Sequence, residues 1–549
     1  MVGAMAMISR RGIARGAGTA LVFAVFASGP ARAEELDPAL LRLMREVTAV
    51  GQHLERLADP DDVLDSLHFG WSDEPYGRAT LACAAKTVRV LEREISLRRA
   101  GGAALRDAQV REVLDWLRAA PARAQNGPRR SGFLPHRQEV RLDATSSGPA
   151  PALFGFVDRS TMTRLDDWYA DADLLAACGF KVIARADRPY LSAEAWRSLA
   201  DRAKALRLVV VRVGDADEPE NQSSASADVR CLRPCTLREW LSGEGRTAES
   251  VLIDPPHGET WGESLARRGL YRGATGGRGP WVSGWAVPEA RSNASAAAEQ
   301  VRAAMWVHAL DGQRLGLLEG WRDLRDGSVS PYASLAAAPA VVEAVAHTAL
   351  DLLYFDPIVR AFSAECPLAL VVDEDVPDSA DPNRWSPTFG RLAQELFDAN
   401  VRFDVLPRTA PPERTARYAL ACEVALPADG APRLERVLRF GRAQAEPLLE
   451  QESVAECLGR LTAGLPDPPP VRLTGPSEGV FCRSGRSADG PVWVALVNAK
   501  PQARRVSLVA SGGVRMQEAV DYIDGSTVKD LANGVDVAAW QVRLLALRP

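Results

Sequence analysis

Between residues 150 and 323 the chain alternates short apolar segments with amphipathic helical segments. The apolar segments are ALFGFVD (152–158), FKVIARAD (180–187), LVVVRVGD (208–215), ESVLIDPP (249–256), PWVSGWAV (280–287) and RLGLLEGW (314–321). Near-continuous apolar strands separated by helices are typical of a parallel sheet covered by helices. The alternation predicts an α/β fold, a (β/α) barrel over residues 150–362. Six segments are fewer than the eight of a full barrel, so two strands are hidden or missing. An open doubly wound sheet is the alternative, although no G-x-G-x-x-G follows a first strand.

Different patterns flank this region. Residues 37–125 show helical spacing, and their apolar faces are expected to pack on each other and on the barrel. Residues 366–465 contain LALVVDEDV, RLAQELFDAN and VRFDVLP, which predict a second strand–helix–strand unit. After the proline-rich hinge LPDPPP (465–470), residues 471–549 are β by pattern.

The N-terminus has the features of an export signal, assigned to residues 1–33. Arg10 and Arg11 precede a short apolar run, TALVFAVFA, and Ala31-Arg32-Ala33 forms a small-x-small cleavage site. The run is too short to span a bilayer, so cleavage is expected, with no membrane span in the mature chain. The arginine pair favours the twin-arginine route, and a general secretion signal is the alternative. The predicted location is the periplasm or the medium.

Charge and metal-ligand patterns exclude several function classes. The formal net charge is −5 and no long basic run occurs, which argues against nucleic-acid binding. The six histidines are isolated and there is no H-E-x-x-H, so neither a metal nor another cofactor is predicted. Among the eight cysteines, Cys231 and Cys235 are close, in a spacing that matches no common zinc site; a disulfide between them is an alternative.

Acidic residues stand at the ends of three predicted strands. Asp254, Glu289 and Glu319 each share the alternation of the inward row of their own strand. In a (β/α) barrel the carboxyl ends of the strands form the active-site face. Trp285 and Trp321 accompany two of these acids, and an indole can cover the apolar face of a sugar. The opposing interpretation is an ordinary barrel, with the acids in ion pairs and the tryptophans in the core.

Other polar residues near these ends are candidate substrate contacts. His257 and Arg322 follow strand ends, and Arg185 lies within a strand among apolar neighbours. Arg185 and its counterpart Arg212 either pair with Asp158, Asp187 or Asp215 or bind a sugar group. Glu259 lies in a loop after Pro256, where a solvated acid is expected, although it is also a candidate substrate contact.

The order of these regions resembles exported glycoside hydrolases of the family 42 β-galactosidase type. The resemblance rests on residues 368–376 with 389–407, on the VWVALVNA strand, and on the AVDYIDGSTV and VRLLAL segments. It implies a catalytic barrel, a flavodoxin-like trimerisation domain at 366–465 and a C-terminal β-sandwich at 471–549. A carbohydrate substrate and homo-oligomers formed through the flavodoxin-like domain are implied as well. Leu318-Glu319-Gly320-Trp321-Arg322 stands where that family has a Trp-Arg pair on its last strand.

The catalytic motif departs from that family. Its enzymes carry an Asn-Glu dipeptide at the end of strand four, and this sequence contains none. Here the corresponding strand ends at Asp254, as in families with an aspartate nucleophile. The sequence therefore predicts an exported glycosidase with Asp254 as nucleophile or base and Glu289 or Glu319 as general acid. A non-catalytic carbohydrate-binding or scaffold protein on a degenerate barrel is the alternative, and a surface assembly protein is a third.

Overall fold

A computed structural model of the chain describes most of the residues after position 36. The described residues are 37–58, 74–102, 105–130, 153–158, 172, 175–186, 193–213, 229–243, 250–252, 259–275, 282–285, 294–312, 315–319, 338–359, 362, 366–378, 380–427, 430–439, 442–444, 452–465, 468–474, 479–486, 490–511 and 514–547.

Seven of the described strands form a closed barrel. They are β1 (Leu153–Asp158), β2 (Val182–Ala186), β3 (Val209–Val213), β4 (Val229–Cys235), β5 (Ser250–Leu252), β6 (Val282–Trp285) and β7 (Leu315–Glu319). Each pairs in parallel with the next, and β1 pairs in parallel with β7. The parallel pairing expected for the first three strands is observed, and closure of the ring excludes an open doubly wound sheet.

Strand β4 is one of the hidden strands. Its sequence, VRCLRPC, carries two arginines and a proline, so it lacks the apolar run by which the other strands are recognised. The segment before Asp254 is therefore the fifth strand and not the fourth, which corrects its predicted place in the strand order. Cys235 is a buried free thiol and the Cys231 side chain lies outside the described part of the structure, so the disulfide between them stays an alternative.

Helices cover the outside of the barrel. They are α4 (Ala193–Ala205), α5 (Leu237–Ser242), α6 (Trp261–Thr275), α7 (Ala294–Leu310), α8 (Pro339–Tyr354) and α9 (Asp356–Val359). Thr236 caps α5 by accepting a hydrogen bond from the Glu239 amide. Fully buried Trp306 on α7 lies beside Phe355, with ring centroids 6.1 Å apart. Large apolar side chains of this kind make α7 and α8 the centre of the main core.

Three helices precede the barrel: α1 (Pro38–Ala58), α2 (Pro75–Arg99) and α3 (Asp107–Asn126). One face of α2 joins a core that the three helices share. Its other face, with Tyr76, Ala79 and Cys83, joins the main core beside α8. The helices thus pack on each other and on the barrel, as their apolar spacing predicts.

A five-stranded sheet follows the barrel in the order β12-β11-β10-β8-β9. Its strands are β8 (Leu368–Val372), β9 (Asp404–Pro407), β10 (Leu420–Ala425), β11 (Arg433–Arg439) and β12 (Arg442–Gln444). Strand β8 is parallel to β9 and β10, and the other pairs are antiparallel. The accompanying helices are α10 (Pro387–Asp398), α11 (Pro412–Thr415) and α12 (Val454–Ala463). Helix α6 packs on α10 and β9, which joins this sheet to the barrel.

The C-terminal region has two antiparallel sheets, in the orders β13-β16-β19 and β14-β15-β20-β17-β18. These strands are β13 (Val471–Thr474), β14 (Val480–Arg486), β15 (Val492–Asn498), β16 (Arg504–Ala510), β17 (Glu518–Asp521), β18 (Thr527–Lys529), β19 (Val535–Val537) and β20 (Val542–Leu547). Strand β15 is buried along its whole length because its two faces belong to different cores. Val494 and Leu496 face the other sheet, while Trp493 and Val497 join the main core near α7. The mixed α/β class predicted from the sequence is confirmed.

Candidate functional site

The carboxyl ends of β5, β6 and β7 lie side by side at one edge of the barrel. Leu252 is the register partner of Ser283, and Trp285 is the partner of Leu318. Because these strands run parallel, their carboxyl ends lie at the same edge of the barrel. In the sequence, the three candidate acids stand at or after the ends of three consecutive strands. Glu319 is the last residue of β7, and Asp254 and Glu289 follow the ends of β5 and β6.

Charged positions continue along this edge onto the next strands. Glu319 is the register partner of Val157 on β1, and the following residue, Asp158, is the partner of Arg185 on β2. Arg185 is in turn the partner of Arg212 on β3. Asp158, Arg185 and Arg212 therefore hold equivalent positions on three neighbouring strands. This register suits both explanations of the arginines, an ion-pair network with Asp158 and a contact to a sugar.

Most of the candidate side chains lie outside the described part of the structure. Asp254, His257, Glu289, Trp321 and Arg322 fall outside the described residues. For Arg185, Trp285 and Glu319 the strand is described and the side chain is not. The convergence of the three carboxyl groups and the stacking roles of the two tryptophans stay predictions.

Glu259 is described, and it is not the solvated acid that its loop position predicted. Its carboxylate lies 2.8 Å from the Arg267 guanidinium, and the two side chains are 7% and 4% exposed. Burial raises the pKa of Glu259, and the charge of Arg267 opposes that rise. Arg267 also donates to the carbonyl of Asn383 at 2.7 Å. The expectation is wrong because α6 packs against the second sheet region, where Glu259 and Arg267 tie the two together.

A second set of charged residues is buried at the other end of α6. We call it the arginine junction; it consists of Arg268, Arg272, Asp311, Arg402, Asp404 and Arg483. Arg272 donates to Asp404 at 2.6 Å and to Asp311 at 2.7 Å. Asp311 lies after α7, Asp404 begins β9, and Arg483 comes from β14. The junction therefore connects the barrel, the second sheet and the C-terminal sheets.

The residues of the arginine junction differ in how burial and neighbouring charges shift their pKa values. Burial alone would raise the pKa of Asp311, but the guanidiniums of Arg272, Arg268, Arg402 and Arg483 outweigh it and lower that pKa to about 2. Burial lowers the pKa of Arg268 to about 10. The Arg268 Nε atom lies 3.7 Å from Asp311, and none of its three guanidinium nitrogens has a hydrogen-bond partner. One carboxylate is thus shared among more cations than it can bind directly.

Two glycines of α6 permit this junction to form. A Cβ atom at Gly273 would lie 2.5 Å from the Val405 carbonyl oxygen, and one at Gly269 would lie 2.9 Å from that of Phe403. Both contacts involve backbone, so α6 approaches β9 more closely than a helix with side chains at these positions can. Gly269 and Gly273, each one position after an arginine of the junction, form a G-x-x-x-G step, which is the sequence signal for this close approach.

A further polar cluster lies between α2, α3 and α8. We call it the helical junction; it consists of Tyr76, Thr80, Arg123, Arg130, Glu343, His347 and Asp351. Glu343, His347 and Asp351 are four residues apart on α8, so they share one face of the helix. Thr80 donates to Glu343 at 2.6 Å, and Tyr76 donates to Asp351 at 2.7 Å.

The helical junction contains a hydroxyl, an imidazole and a carboxylate, the groups of a nucleophilic triad. The Thr80 hydroxyl lies 3.0 Å from His347 Nε2, but Thr80 is fully buried. It donates to Glu343 and therefore does not deliver its proton to the imidazole. Burial lowers the pKa of His347, which keeps the ring neutral near pH 7. These contacts hold α2 against α8 and do not form a catalytic set.

Within the described ranges, no group of three or more His, Cys, Asp or Glu side chains has an arrangement that could hold a metal ion. No helix in that part of the chain is both long and apolar enough to cross a bilayer.

Comparisons with known proteins show only distant likenesses. No family model matches the chain, and no curated protein matches it. An apo exo-carrageenase of family GH42 from Bacteroides ovatus is 9% identical, with a TM-score of 0.45 over 92% of this chain and 98% of that chain. A putative alpha-galactosidase from Bacteroides fragilis is 10% identical, with a TM-score of 0.32 over 73% of this chain and 79% of that one. Alpha-galactosidase I from Mortierella vinacea is 10% identical, with a TM-score of 0.26 over 73% and 98%. At these scores and identities, none of the likenesses assigns a family or an activity to this chain.

Proposed function

We propose that this protein is a glycoside hydrolase that acts on an oligosaccharide or polysaccharide at the carboxyl end of its barrel. One observation carries the proposal: the strands that lead to Asp254, Glu289 and Glu319 are consecutive neighbours, and they end at the same edge. Barrel enzymes build their sites at this edge, from residues that come from several strands. Scattered strands or opposite edges would have separated the acids.

The chemistry needs two carboxyl groups on either side of a glycosidic bond. A separation of about 5–5.5 Å serves a retaining mechanism, and about 6.5–9.5 Å serves an inverting one. Asp254 is the proposed nucleophile or base, and Glu289 or Glu319 the general acid. Two acids this close repel each other as anions, which raises the pKa of one and keeps it protonated for acid catalysis.

The remaining candidates would bind the sugar. Trp285 and Trp321 would stack on its apolar face. Arg185, His257 and Arg322 would donate hydrogen bonds to hydroxyl or carboxylate oxygens. Glu259 is left out of this set because its carboxylate is buried against Arg267.

Hydrolysis of a panel of aryl glycosides by the purified protein tests the proposal. Asp254→Asn, Glu289→Gln and Glu319→Gln are each made, and at least two are expected to lower kcat/KM about 100-fold or more. Glu194→Gln is the matched control, because Glu194 is exposed on α4, and it should leave the activity unchanged. Wild-type activity in all three site variants would show that the site lies elsewhere.

The second candidate is a carbohydrate-binding protein on a barrel that has lost catalysis. The absence of any Asn-Glu dipeptide favours this candidate, because the family that the sequence resembles carries its catalytic acid in that dipeptide. Such a protein would bind oligosaccharides in calorimetry, would lose binding when Trp285 or Trp321 is replaced by alanine, and would hydrolyse no glycoside. Turnover that depends on Asp254 rules it out.

We also propose the domain arrangement and export that the resemblance implies. The second sheet would be the flavodoxin-like domain, through which copies of the chain associate, and the C-terminal sheets would be the β-sandwich. Light scattering of the purified protein tests for the oligomer, and a monomer at micromolar concentration contradicts it.

For export, the N-terminus of the protein recovered outside the cytoplasm should begin at Glu34. An intact Met1 end found only in the cytoplasm contradicts that part.

A further inference from the structure

Two cysteines face each other where the N-terminal helices meet the barrel. Cys83 lies on α2, and Cys178 lies in the turn before β2. Their Sγ atoms are 3.7 Å apart, and both residues are completely buried. They are 95 residues apart in the chain, so the contact exists only because the helices dock on the first strand–helix unit of the barrel.

Both sulfur atoms are held in place by their surroundings. The turn after Cys178 needs Gly179, which has a φ of +81°, and a Cβ there would lie 2.3 Å from the Leu350 side chain. The Cys178 thiol lies 3.9 Å from the Ala79 carbonyl oxygen, one helical turn before Cys83. The turn and α2 are therefore packed so that the two sulfurs stay neighbours.

The burial of this pair argues against a role as a nucleophile toward substrates. The neighbouring Cys178 thiol and burial raise the pKa of Cys83 well above its ordinary value. A protonated, inaccessible thiol does not react with substrates or reagents in solution. The pair is consequently a structural element of the docked helices.

We propose that Cys83 and Cys178 form a disulfide when the chain folds under oxidising conditions. A bonded pair of sulfurs is about 2.05 Å apart, so the two Sγ atoms, now 3.7 Å apart, must approach each other by about 1.7 Å. The oxidant is a disulfide-bearing oxidoreductase or oxidised glutathione. One thiolate attacks the oxidant disulfide to give a mixed disulfide, which the second thiolate then displaces. In the net reaction the two thiols lose two protons and two electrons, and the oxidant disulfide is reduced to two thiols.

Burial sets the time at which the bond forms. An oxidant reaches the sulfurs only before α2 has closed over the first barrel unit, so oxidation accompanies folding. The bond would then fasten the N-terminal helices to the barrel and restrict a long loop in the unfolded chain, which is the main source of disulfide stabilisation. The proposal is independent of the glycosidase assignment.

Thiol counting in protein from two expression hosts tests the proposal. The full chain is produced in a cytoplasm that is reducing and in one that is oxidising, denatured, alkylated and analysed by mass spectrometry. All eight cysteines should be alkylated in the first sample. In the second, Cys83 and Cys178 should be recovered in one linked peptide that is two hydrogens lighter. The thermal midpoint of that sample should be several degrees higher.

Variants separate this bond from other pairings. Cys83→Ala and Cys178→Ala should each abolish the linked peptide and the gain in midpoint. Cys422→Ala is the matched control, because Cys422 is a buried thiol in β10, and it should keep both. If folding in the oxidising host fails, the reduced protein is unfolded in urea and refolded with oxidised and reduced glutathione. Native-like protein in which both cysteines remain alkylatable, or a Cys231–Cys235 bond in place of the proposed one, overturns the proposal.

Discussion

The helical junction and the arginine junction both join another region to the barrel, but they differ in how their charges are balanced. In the helical junction each carboxylate on α8 has its own donors: Glu343 accepts from Thr80 and Arg123, and Asp351 accepts from Tyr76 and Arg130. In the arginine junction four guanidiniums lower the pKa of the single carboxylate of Asp311.

This difference predicts how much a substitution in each junction lowers the stability of the protein. In the helical junction, one substitution removes one hydrogen-bonded pair and leaves the others. Each substitution should therefore lower the free energy of unfolding by about the contribution of one buried hydrogen bond. In the arginine junction several buried cations depend on Asp311 together, although Arg272 also pairs with Asp404, so loss of the Asp311 charge affects more than one of them.

Asp311→Asn should give the largest loss of stability. The substitution removes the charge that faces Arg268, Arg272, Arg402 and Arg483 and leaves these cations buried. The free energy of unfolding is expected to fall by about 3–5 kcal/mol. Urea unfolding followed by tryptophan fluorescence measures the change.

A carboxylate in a surface ion pair provides the control for Asp311. Asp536 pairs with Arg505 at 3.2 Å, and both side chains are mostly exposed. Asp536→Asn should change the urea midpoint very little, since solvent and salt screen such pairs. Equal effects of the two substitutions would show that Asp311 is not the centre of a buried cluster.

Gly273→Ala should separate α6 from β9. The added Cβ would lie 2.5 Å from the Val405 carbonyl oxygen, so the helix must move away from the strand. We expect a loss of about 1–3 kcal/mol in the free energy of unfolding, typical of overpacking. Gly51→Ala in α1 is the control, because its Cβ would meet only Val88 Cγ1, at 3.4 Å. Helix propensity predicts a slight gain there, and a loss equal to that of Gly273→Ala would contradict the close approach of α6 and β9.

Thr80→Val tests the separate pairs of the helical junction. Valine has the shape of threonine without the hydroxyl, so Glu343 loses a 2.6 Å hydrogen bond while Arg123 remains. The expected loss is about 1–2 kcal/mol by urea unfolding. Thr87→Val should cost less, because the Thr87 hydroxyl bonds only to the Cys83 carbonyl within the same helix. The comparison of the junctions fails if Thr80→Val is as damaging as Asp311→Asn.

Arg268→Met should have a small effect of the opposite sign. Arg268 is buried, and it faces Asp311 at 3.7 Å without donating a hydrogen bond, so a side chain of similar volume removes a poorly compensated charge. The free energy of unfolding should stay the same or rise by up to about 1 kcal/mol. Arg272→Met is the matched control, and it should destabilise because Arg272 bonds both Asp311 and Asp404. Destabilisation by both variants would show that Arg268 is as well compensated as its neighbour.

The smallest expected effect is a pH dependence at His347. Burial lowers its pKa below 6.5, Glu343 and Asp351 oppose that shift, and Arg302 adds to it. The unfolded chain therefore binds a proton at a higher pH than the folded one, so stability is complete above about pH 6.5 and declines below it. His347→Gln should flatten the stability profile between pH 7.5 and pH 5. If the variant keeps the wild-type dependence of stability on pH between pH 7.5 and pH 5, that dependence arises from groups other than His347.

The sequence predicted the strands and helices that have a clear hydrophobic period. It did not predict the elements that are recognised only by their contacts with distant parts of the chain. Strands β1, β2 and β3 are continuous apolar runs, and their parallel pairing follows the helical segments between them. Strand β4 was missed because Arg230, Arg233 and Pro234 interrupt its apolar pattern. At the site, the sequence identified strands β5, β6 and β7 as neighbours of one sheet, and the positions of Asp254, Glu289 and Glu319 at its carboxyl edge stay a prediction.

Glu259 and the arginine junction could not be assigned in this way. The sequence places Glu259 in a polar loop, and only the packing of α6 on the second sheet region removes water from it and pairs it with Arg267. Asp311 and Asp404 are 93 positions apart in the numbering, and no local pattern shows that Arg272 bonds both. The G-x-x-x-G step of α6 indicates that another element approaches this helix closely, but it does not show that this element is strand β9.

The sequence by itself determined the local hydrophobic periods of this protein, which define the apolar strands and the amphipathic helices. These follow from side-chain spacing, which depends only on nearby residues. The tertiary structure alone decided which charges are buried, how many cations share Asp311, and that Cys83 meets Cys178. Burial and charge pairing depend on residues brought together from distant parts of the chain, because desolvation and Coulomb interactions act through space and not along the sequence.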